Sequence, residues 1–428
     1  MSPTFRSLSV HNYRLWFVGA LISNVGTWMG RVAQDWLVLT ELTDHNATAL
    51  GTVTGLQFLP FLLLAPWAGS IADRFPKRRV LALTQTLLAV TSLLTGLLVW
   101  TGAAQLWHIY ALALIQGVAT AIDNPTRQAF VSELVPSEHL PNAVALNSAS
   151  FNFGRLVGPA VAGLSIAWWG TAVAFVVNAA TFVSVLLALV FMRVAELRPS
   201  PRVARRGAVR EGLRYVRGRP DILLVLFLIF VLGTFGMNFQ LTMALMATEQ
   251  FGKGAGEFGL LGSIMAIGSL SAALLAARRE RPRLRTLLLS LVGFTVASGA
   301  AALAPTYELF ALALIPVGLS ALSAMTTANA MVQLRTAPSM RGRVMALYMA
   351  IFMGGTPIGA PLIGWIGEVA GPRWTIGVGT VAVAISLVAV SVWLGRRQNV
   401  RVSYESQRRP RVRVTASPTA HPVPEAAR

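Results

Sequence analysis

Apolar residues in this chain run in long blocks instead of alternating, and short polar turns separate the blocks. A bilayer-crossing helix needs about 20 mostly apolar residues. Twelve stretches of that kind can be read along the chain, at 15–39, 49–71, 80–101, 106–124, 143–168, 171–192, 222–246, 258–277, 284–304, 309–332, 344–366 and 375–394. The stretches at 106–124, 171–192 and 309–332 are nearly uninterrupted, whereas 15–39, 143–168 and 222–246 hold polar residues inside them. The pattern predicts an all-α membrane protein with twelve transmembrane helices. Buried core helices of a soluble protein are the rival reading, but the loops here leave no polar coat for them.

Composition agrees: 54% of residues are hydrophobic and 12% charged, where a soluble domain has about 25% charged. Cysteine is absent, which excludes disulfides, iron–sulfur clusters and thiol catalysis. Five scattered histidines argue against a zinc site. With no P-loop or zinc-ligand spacing, neither an enzyme nor a cofactor is expected.

The formal net charge of +19 raises nucleic acid as a partner, but its placement points elsewhere. All but four of the 36 Lys and Arg lie in one alternating set of segments: the N-terminus, 74–79, Arg127, 193–219, 278–285, 335–343 and the tail from Arg396. The opposite loops hold Lys253 and Arg373, and Arg31 and Arg155 lie within spans. This asymmetry is the positive-inside pattern. It predicts a multi-pass protein of the cytoplasmic membrane with both termini cytoplasmic. Its basic loops face an anionic inner leaflet, and nucleic acid loses its support. Residues 1–14 show no apolar core ahead of a small-residue cleavage site, so the first span is expected to be retained.

The two halves of the chain repeat one another. Asn124-x-x-x-Gln128 recurs as Asn329-x-x-x-Gln333, and Gly154, Gly158, Gly163 and Gly170 align with Gly355, Gly359, Gly364 and Gly371. The expected domains are a six-helix bundle at 1–192, a basic cytoplasmic linker at 193–221, a second bundle at 222–395 and a disordered basic tail at 396–428. Within the linker, Val209, Leu213 and Val216 recur at helical spacing beside Arg210, Arg214 and Arg217. That spacing predicts a short helix lying on the inner leaflet. Two matched halves joined inside the cell are the layout of a transporter that rocks around a central site.

Two motifs make the assignment specific. The loop after the second span reads Gly69-Ser-Ile-Ala-Asp73-Arg74-Phe-Pro76-Lys77-Arg78-Arg79, and the fifth span carries Gly154-Arg155-Leu-Val-Gly158-Pro159-Ala-Val-Ala-Gly163. The first resembles the G-x-x-x-D-R-x-G-R-R loop of the major facilitator superfamily, with Pro76 where the family has its second glycine. The second is similar to the antiporter motif of exporters in that superfamily. With LTELT and EGLRYVRGRP, they resemble its enterobactin-exporter-like and macrolide-efflux-like branch over residues 5–394.

The resemblance implies a major facilitator fold and proton-coupled export of a small molecule by alternating access. Gly69 permits close helix approach. Asp73 can face the positive N-terminus of the eleventh helix near Arg343. Arg74, Lys77 and Arg78 can pair with acids such as Asp123, itself spaced to pair with Arg127. Together these residues form an expected conformational latch. Gly154, Gly158 and Gly163 thin one helix face, and Pro159 removes a backbone hydrogen bond. Ala113 stands where many drug exporters place an arginine four residues before the glycine of Gln116-Gly117, so no proton relay is carried over from that position.

Charged groups in lipid are costly and face a cavity or one another. Asn24, Trp28, Arg31 and Asp35 fall within about 60° on a helical wheel, as do Ser148, Asn152 and Arg155. Both stripes are expected to line a central cavity. Asp35 is the proton-coupling candidate, with a permanent Arg31–Asp35 pair as the structural alternative. Arg155 can attract an anionic substrate group or pair with Asp35. Trp28, Met29, Trp36, Gln57, Phe58, Met237, Asn238, Gln240, Met243 and Asn329 are further candidates for an apolar pocket with a few hydrogen-bonding groups. The expected partners are a small amphipathic substrate, such as a drug or siderophore, and protons, acting on a monomer. The alternatives are a substrate–proton uptake symporter and, more remotely, a non-transporting receptor.

Overall fold

The computed structural model describes residues 3–198, 208–277, 282–337, 340–398, 401–405 and 411–415. Within these, the side chains of 3, 4, 65, 66, 68–70, 72, 73, 208–210, 277, 395–398 and the two tail strands lie outside the description. The first half comprises α1 (His11–Trp36), α2 (Ala47–Arg74), α3 (Lys77–Trp100), α4 (Leu106–Leu134), α5 (Leu140–Trp169) and α6 (Thr171–Phe191). A linker helix follows, α7 (Ala208–Arg217). The second half holds α8 (Pro220–Val231), α9 (Phe239–Leu245), α10 (Ala255–Ala277), α11 (Leu284–Ala302), α12 (Tyr307–Arg335), α13 (Arg341–Gly354), α14 (Thr356–Ala370) and α15 (Pro372–Gln398).

Among the described residues, ten helical segments are long and apolar enough to cross a membrane. α1 and α5, at 26 and 30 residues, are as long but fall outside that set, and they are the helices that carry Arg31, Asp35 and Arg155. The outward surface is apolar, with Leu83 71% exposed and Val296 68% exposed. A face of that kind is stable against lipid and a liability in water.

Local chemistry sets the ends of the helices. Asn46 caps α2 by accepting from the Ala49 amide at 2.6 Å, and Thr306 caps α12 through the Leu309 amide. The internal repeat is visible in the backbone. Gly170 closes α5 and Gly371 closes α14 at matching positions, with φ of 83° and 94°, a conformation that favours glycine.

Two expected single spans are broken. The stretch at 222–246 divides into α8, a π-helical turn at Leu232–Gly236, an irregular step at Met237 and Asn238, and α9. The stretch at 344–366 divides at Gly354 and Gly355 into α13 and α14. Glycine lowers helix propensity at both places. Tertiary contact uses the gaps: a side chain on Gly233 would meet the Phe352 carbonyl, and one on Gly355 would meet Thr234 Oγ1.

In the first half α1 packs on α5 and α6, and α3 packs on α4 and α6. In the second half α10 and α11 pack on α12. Across the halves α2 lies against α13 and α14, and α5 lies against α10.

Expected from its spacing to lie on the inner leaflet, α7 docks one face on the second half. Val216 is 1% exposed, Glu211 pairs with Arg343 of α13 at 2.8 Å, and the Tyr215 hydroxyl accepts from the Ala337 amide. A protein surface offers that face fixed partners, and among the described side chains of α7 Glu211, Leu213, Arg214 and Arg217 remain exposed. Val209 and Arg210 lie outside the described side chains. Just beyond the helix, the Asp221 carboxylate accepts two hydrogen bonds from Arg219 and holds that guanidinium above its ordinary pKa.

The tail, expected to be disordered, contains one antiparallel pairing, β1 (Arg401–Glu405) with β2 (Arg411–Thr415). Both segments alternate valine or tyrosine with polar residues, a pattern that suits a strand. The tail beyond them lies outside the described residues.

Candidate functional site

The polar stripe of α1 is aimed by the glycines on the opposite side of the helix. Gly19, Gly26 and Gly30 seat against Ser184, Thr181 and Asn178 of α6, too close for any side chain. At 100° per residue the stripe Asn24–Trp28–Arg31–Asp35 points roughly 150° away from that contact, toward the middle of the molecule. α5 meets the stripe edge-on. Gly154 sits against the Asn24 backbone, and a Cβ on Gly158 would lie 2.6 Å from Trp28 Cβ. Asn24 Nδ2 donates to Ser150 Oγ at 2.9 Å, and Phe151 packs edge-on to Trp28 with ring centroids 5.8 Å apart.

Trp28 is the hub of the cluster. The Arg31 guanidinium lies 5.1 Å from its ring centroid and 5.7 Å from that of Phe58 on α2. The Arg155 guanidinium lies 5.8 Å from the same tryptophan. A cation over an aromatic face gains about 0.5–2 kcal/mol, which holds both groups where the ring is. Asp35 is 6% exposed, and its Oδ2 has no hydrogen-bond partner. The Arg31–Asp35 ion pair allowed by their spacing is not closed: among the described residues no such pair lies within 4 Å. Arg155 does not pair with Asp35 either.

Beside Asp35 lies a group that sequence reading missed as a unit. Gln57 Nε2 on α2 donates to Gln34 Oε1 on α1 at 3.1 Å and to Gln116 Oε1 on α4 at 3.3 Å. Polar residues inside three different spans were the available signal, but periodicity within one helix does not reveal which helices meet.

The other expected residues lie apart from this cluster. Asn152 donates to the carbonyl of Ser148 one turn back. Asn329 accepts from Gln333 on its own helix. Asn238 is buried at the break between α8 and α9, where its amide donates to the Thr234 carbonyl and its Oδ1 is unpartnered, as is Thr234 Oγ1. Trp36 stacks on Phe258 of α10, while Met29 and Met243 are core residues. Met237 and Gln240 lie beside the same break and are partly buried.

The expected latch residues form an intra-half network. Lys77 pairs with Glu133, not with Asp123, at 2.7 Å with both side chains 9% exposed. Asp123 is already engaged, accepting from Thr84, Gln85 and Arg127, so it has no room for the loop cations. Arg127 also lies over Trp16. Arg78 donates to the Leu189 carbonyl, and Arg74 is exposed. Gly69 and Asp73 lie outside the described side chains. The α13 end near Arg343, expected to face Asp73, is bound by Glu211 of α7.

The halves close on each other through small residues. Gly51 and Gly55 of α2 abut Ala360 and Pro361 of α14, and Gly364 abuts the Ala47 carbonyl. Gly163 abuts Ala255 of α10, and Gly259 abuts the Pro159 carbonyl. Thus the fifth-span motif serves two partners: Gly154 and Gly158 admit α1, while Pro159 and Gly163 admit α10. Cross-half hydrogen bonds join Asn46 and Thr48 to Glu368, and Ser263 to the Leu156 carbonyl. All of these contacts fall between mid-bundle and the end bearing the turns at 43–46, 251–254 and 371. At the opposite end, with Lys77, Arg127 and Arg335, no ion pair among the described residues crosses the halves.

Comparison with known proteins agrees with this architecture. A family described as "Transmembrane secretion effector" matches residues 2–423. The staphyloferrin A transporter of Staphylococcus aureus is 34% identical over 178 residues, which is 41% of this chain and 44% of that protein, so the match spans less than half of that relative. The enterobactin exporter EntS of Shigella boydii is 27% identical over 90% of this chain and 92% of its own length. Among solved structures, the nucleoside transporter NupG has a TM-score of 0.67 at 13% identity, covering 89% of this chain and 98% of that one. A D-xylose-proton symporter has a TM-score of 0.64 at 15% identity, covering 87% and 96%. These solved structures share the fold; the family match spans nearly the whole chain, so the protein belongs to the transmembrane secretion effector family of the major facilitator superfamily and is a multi-pass membrane transporter, not an enzyme.

Proposed function

We propose that the protein is a secondary active exporter of a small amphipathic molecule, coupled to protons and working by alternating access. Its twelve spans lie in the cytoplasmic membrane with both termini inside. One observation carries the reading: two bundles seal at one end around a charged patch on α1 and α5 that no structural ion pair consumes. The sealed end is the one poor in Lys and Arg, so the positive-inside rule makes this the inward-facing state. Among the described residues no ion pair joins the halves at the basic end, which is what that state requires. Asp35, buried with one oxygen unpartnered, is the proton-carrying group, and Arg31, Arg155, Trp28 and Gln57 line the cargo path. Pro159 and Gly163 against α10 supply the tight seam that an exchanger needs to prevent leakage. The similarity to the enterobactin exporter and the staphyloferrin A transporter makes a siderophore-like cargo the leading class.

The test is a cargo screen in proteoliposomes with an imposed pH gradient. Uphill movement opposite to the proton flux supports export. Movement in the same direction as protons makes the protein a symporter, and gradient-independent equilibration removes proton coupling.

A further inference from the structure

The two guanidinium groups in the cargo path, both partly buried, are treated differently from the other cations that lie inside the bundles. Lys77 has Glu133 and Arg127 has Asp123, so where a buried cation is structural a carboxylate is provided. Arg31 and Arg155 have none within ion-pair distance: Asp35 acts on Arg31 only at longer range, and the charge that Arg155 senses is Arg31 itself. Among the described residues neither joins an ion pair within 4 Å and neither donates a hydrogen bond, although Asp35 is one turn from Arg31. Both are held by the same ring, Trp28, at 5.1 and 5.8 Å, so their separation cannot exceed the sum of those distances. They come from different helices, α1 and α5, which Gly154 and Gly158 bring into contact. Like charges gathered in a low-dielectric region are unfavourable unless a counter-charge joins them.

A guanidinium presents a planar fork of donors that matches a carboxylate or a similar acid. Between the two forks lies an aromatic floor of Trp28, with Phe151 at its edge and Phe58 beneath Arg31. We infer that the cargo is a small organic acid with two acidic groups, one for Arg31 and one for Arg155, joined by an aromatic or apolar body that rests on Trp28. This rests on the reading of the α1–α5 patch as the cargo site, and it narrows the cargo from amphipathic molecules in general to diacids.

The inference is tested by equilibrium binding to the purified full-length protein, with no gradient imposed. The probes are naphthalene-2,6-dicarboxylate, its monomethyl ester and its dimethyl ester. Affinity is expected to fall at least tenfold for each acid lost. Arg31→Gln and Arg155→Gln should each bring the diacid down to the monoester's affinity and leave the dimethyl ester unchanged, while Arg155→Lys recovers part of the loss. A thermal melt of each variant separates unfolding from lost recognition. Equal affinity for all three probes, no binding of the diacid, or parallel loss of all three in the arginine variants overturns the proposal. Diacid binding without proton-driven movement would sink the export reading alone, and gradient-driven export of neutral or cationic cargo only would sink this one alone.

Discussion

Glu368 of α14 accepts a hydrogen bond from Thr48 of α2 across the seam between the two halves, and Asn46 donates to the same carboxylate. Between α2 and α14 the seam is otherwise glycine, proline and alanine against backbone, so this carboxylate is the directional element of that contact, as Ser263 on the Leu156 carbonyl is between α10 and α5. A hydrogen bond to a charged group contributes about 1.5–3 kcal/mol, reduced here because Glu368 is exposed. Thr48→Val and Glu368→Ala should therefore shift the population toward the state open at this end by up to about tenfold. Because the chain has no native cysteine, Ala47→Cys, 1% exposed and set against Gly364 and Gly367 in the closed seam, reports this directly. An impermeant maleimide should label it faster in either background. Unchanged labelling would show that apolar packing alone holds the seam.

The Lys77–Glu133 pair predicts a different outcome. Both groups are nearly buried, and removing Glu133 leaves the Lys77 ammonium without its carboxylate. Glu133→Leu should cost about 3–5 kcal/mol of stability, while replacing both partners with apolar residues should cost much less. Thermal unfolding of the purified protein, read as a double-mutant cycle, checks this. Additive losses would place the two charges in separate environments.

The motif glycines of α5 separate by partner. Gly158→Ala puts a methyl group 2.6 Å from Trp28 Cβ within one bundle, and overpacking of that kind costs about 1–3 kcal/mol. It should lower the melting temperature. Gly163→Ala instead meets the Ala255 carbonyl of the other half at 2.6 Å. It should leave bundle stability near wild type and open the seam, raising labelling of Ala47→Cys. The two readouts exchanging places would overturn the division of labour.

Asp35→Asn keeps the shape of the side chain and removes its proton chemistry. Under the proposed function it should abolish the dependence of transport on the pH gradient while downhill exchange of cargo continues. Counterflow in proteoliposomes, with and without a gradient, measures both. Retained gradient dependence would move coupling away from Asp35.

Periodicity located the helices well because a membrane span is a long local signal: about 20 residues must each avoid exposing backbone to lipid. The same local logic found the stripes on α1 and α5, since residues three and four apart share a face. It found the span at 222–246, which crosses as one unit at Pro220–Gln250, but not the interruption between α8 and α9, where Gly233 and Thr234 meet α13 and α14. It also misassigned the partner of Lys77. Asp123 and Glu133 are both acids near the end of α4, and only the crowding of Thr84, Gln85 and Arg127 around Asp123 distinguishes them.

The amino-acid order by itself determined a helical membrane protein with two matched bundles, the side on which its cations gather, and the polar faces of its first and fifth helices. Each of these depends on neighbours within a turn or on a sum over loops. Which end of the bundle is sealed, that Arg31 and Arg155 share one tryptophan, and that α7 rests on protein were decided only by tertiary structure. Those facts depend on how closely small residues far apart in sequence let two backbones approach, and no local period encodes that distance.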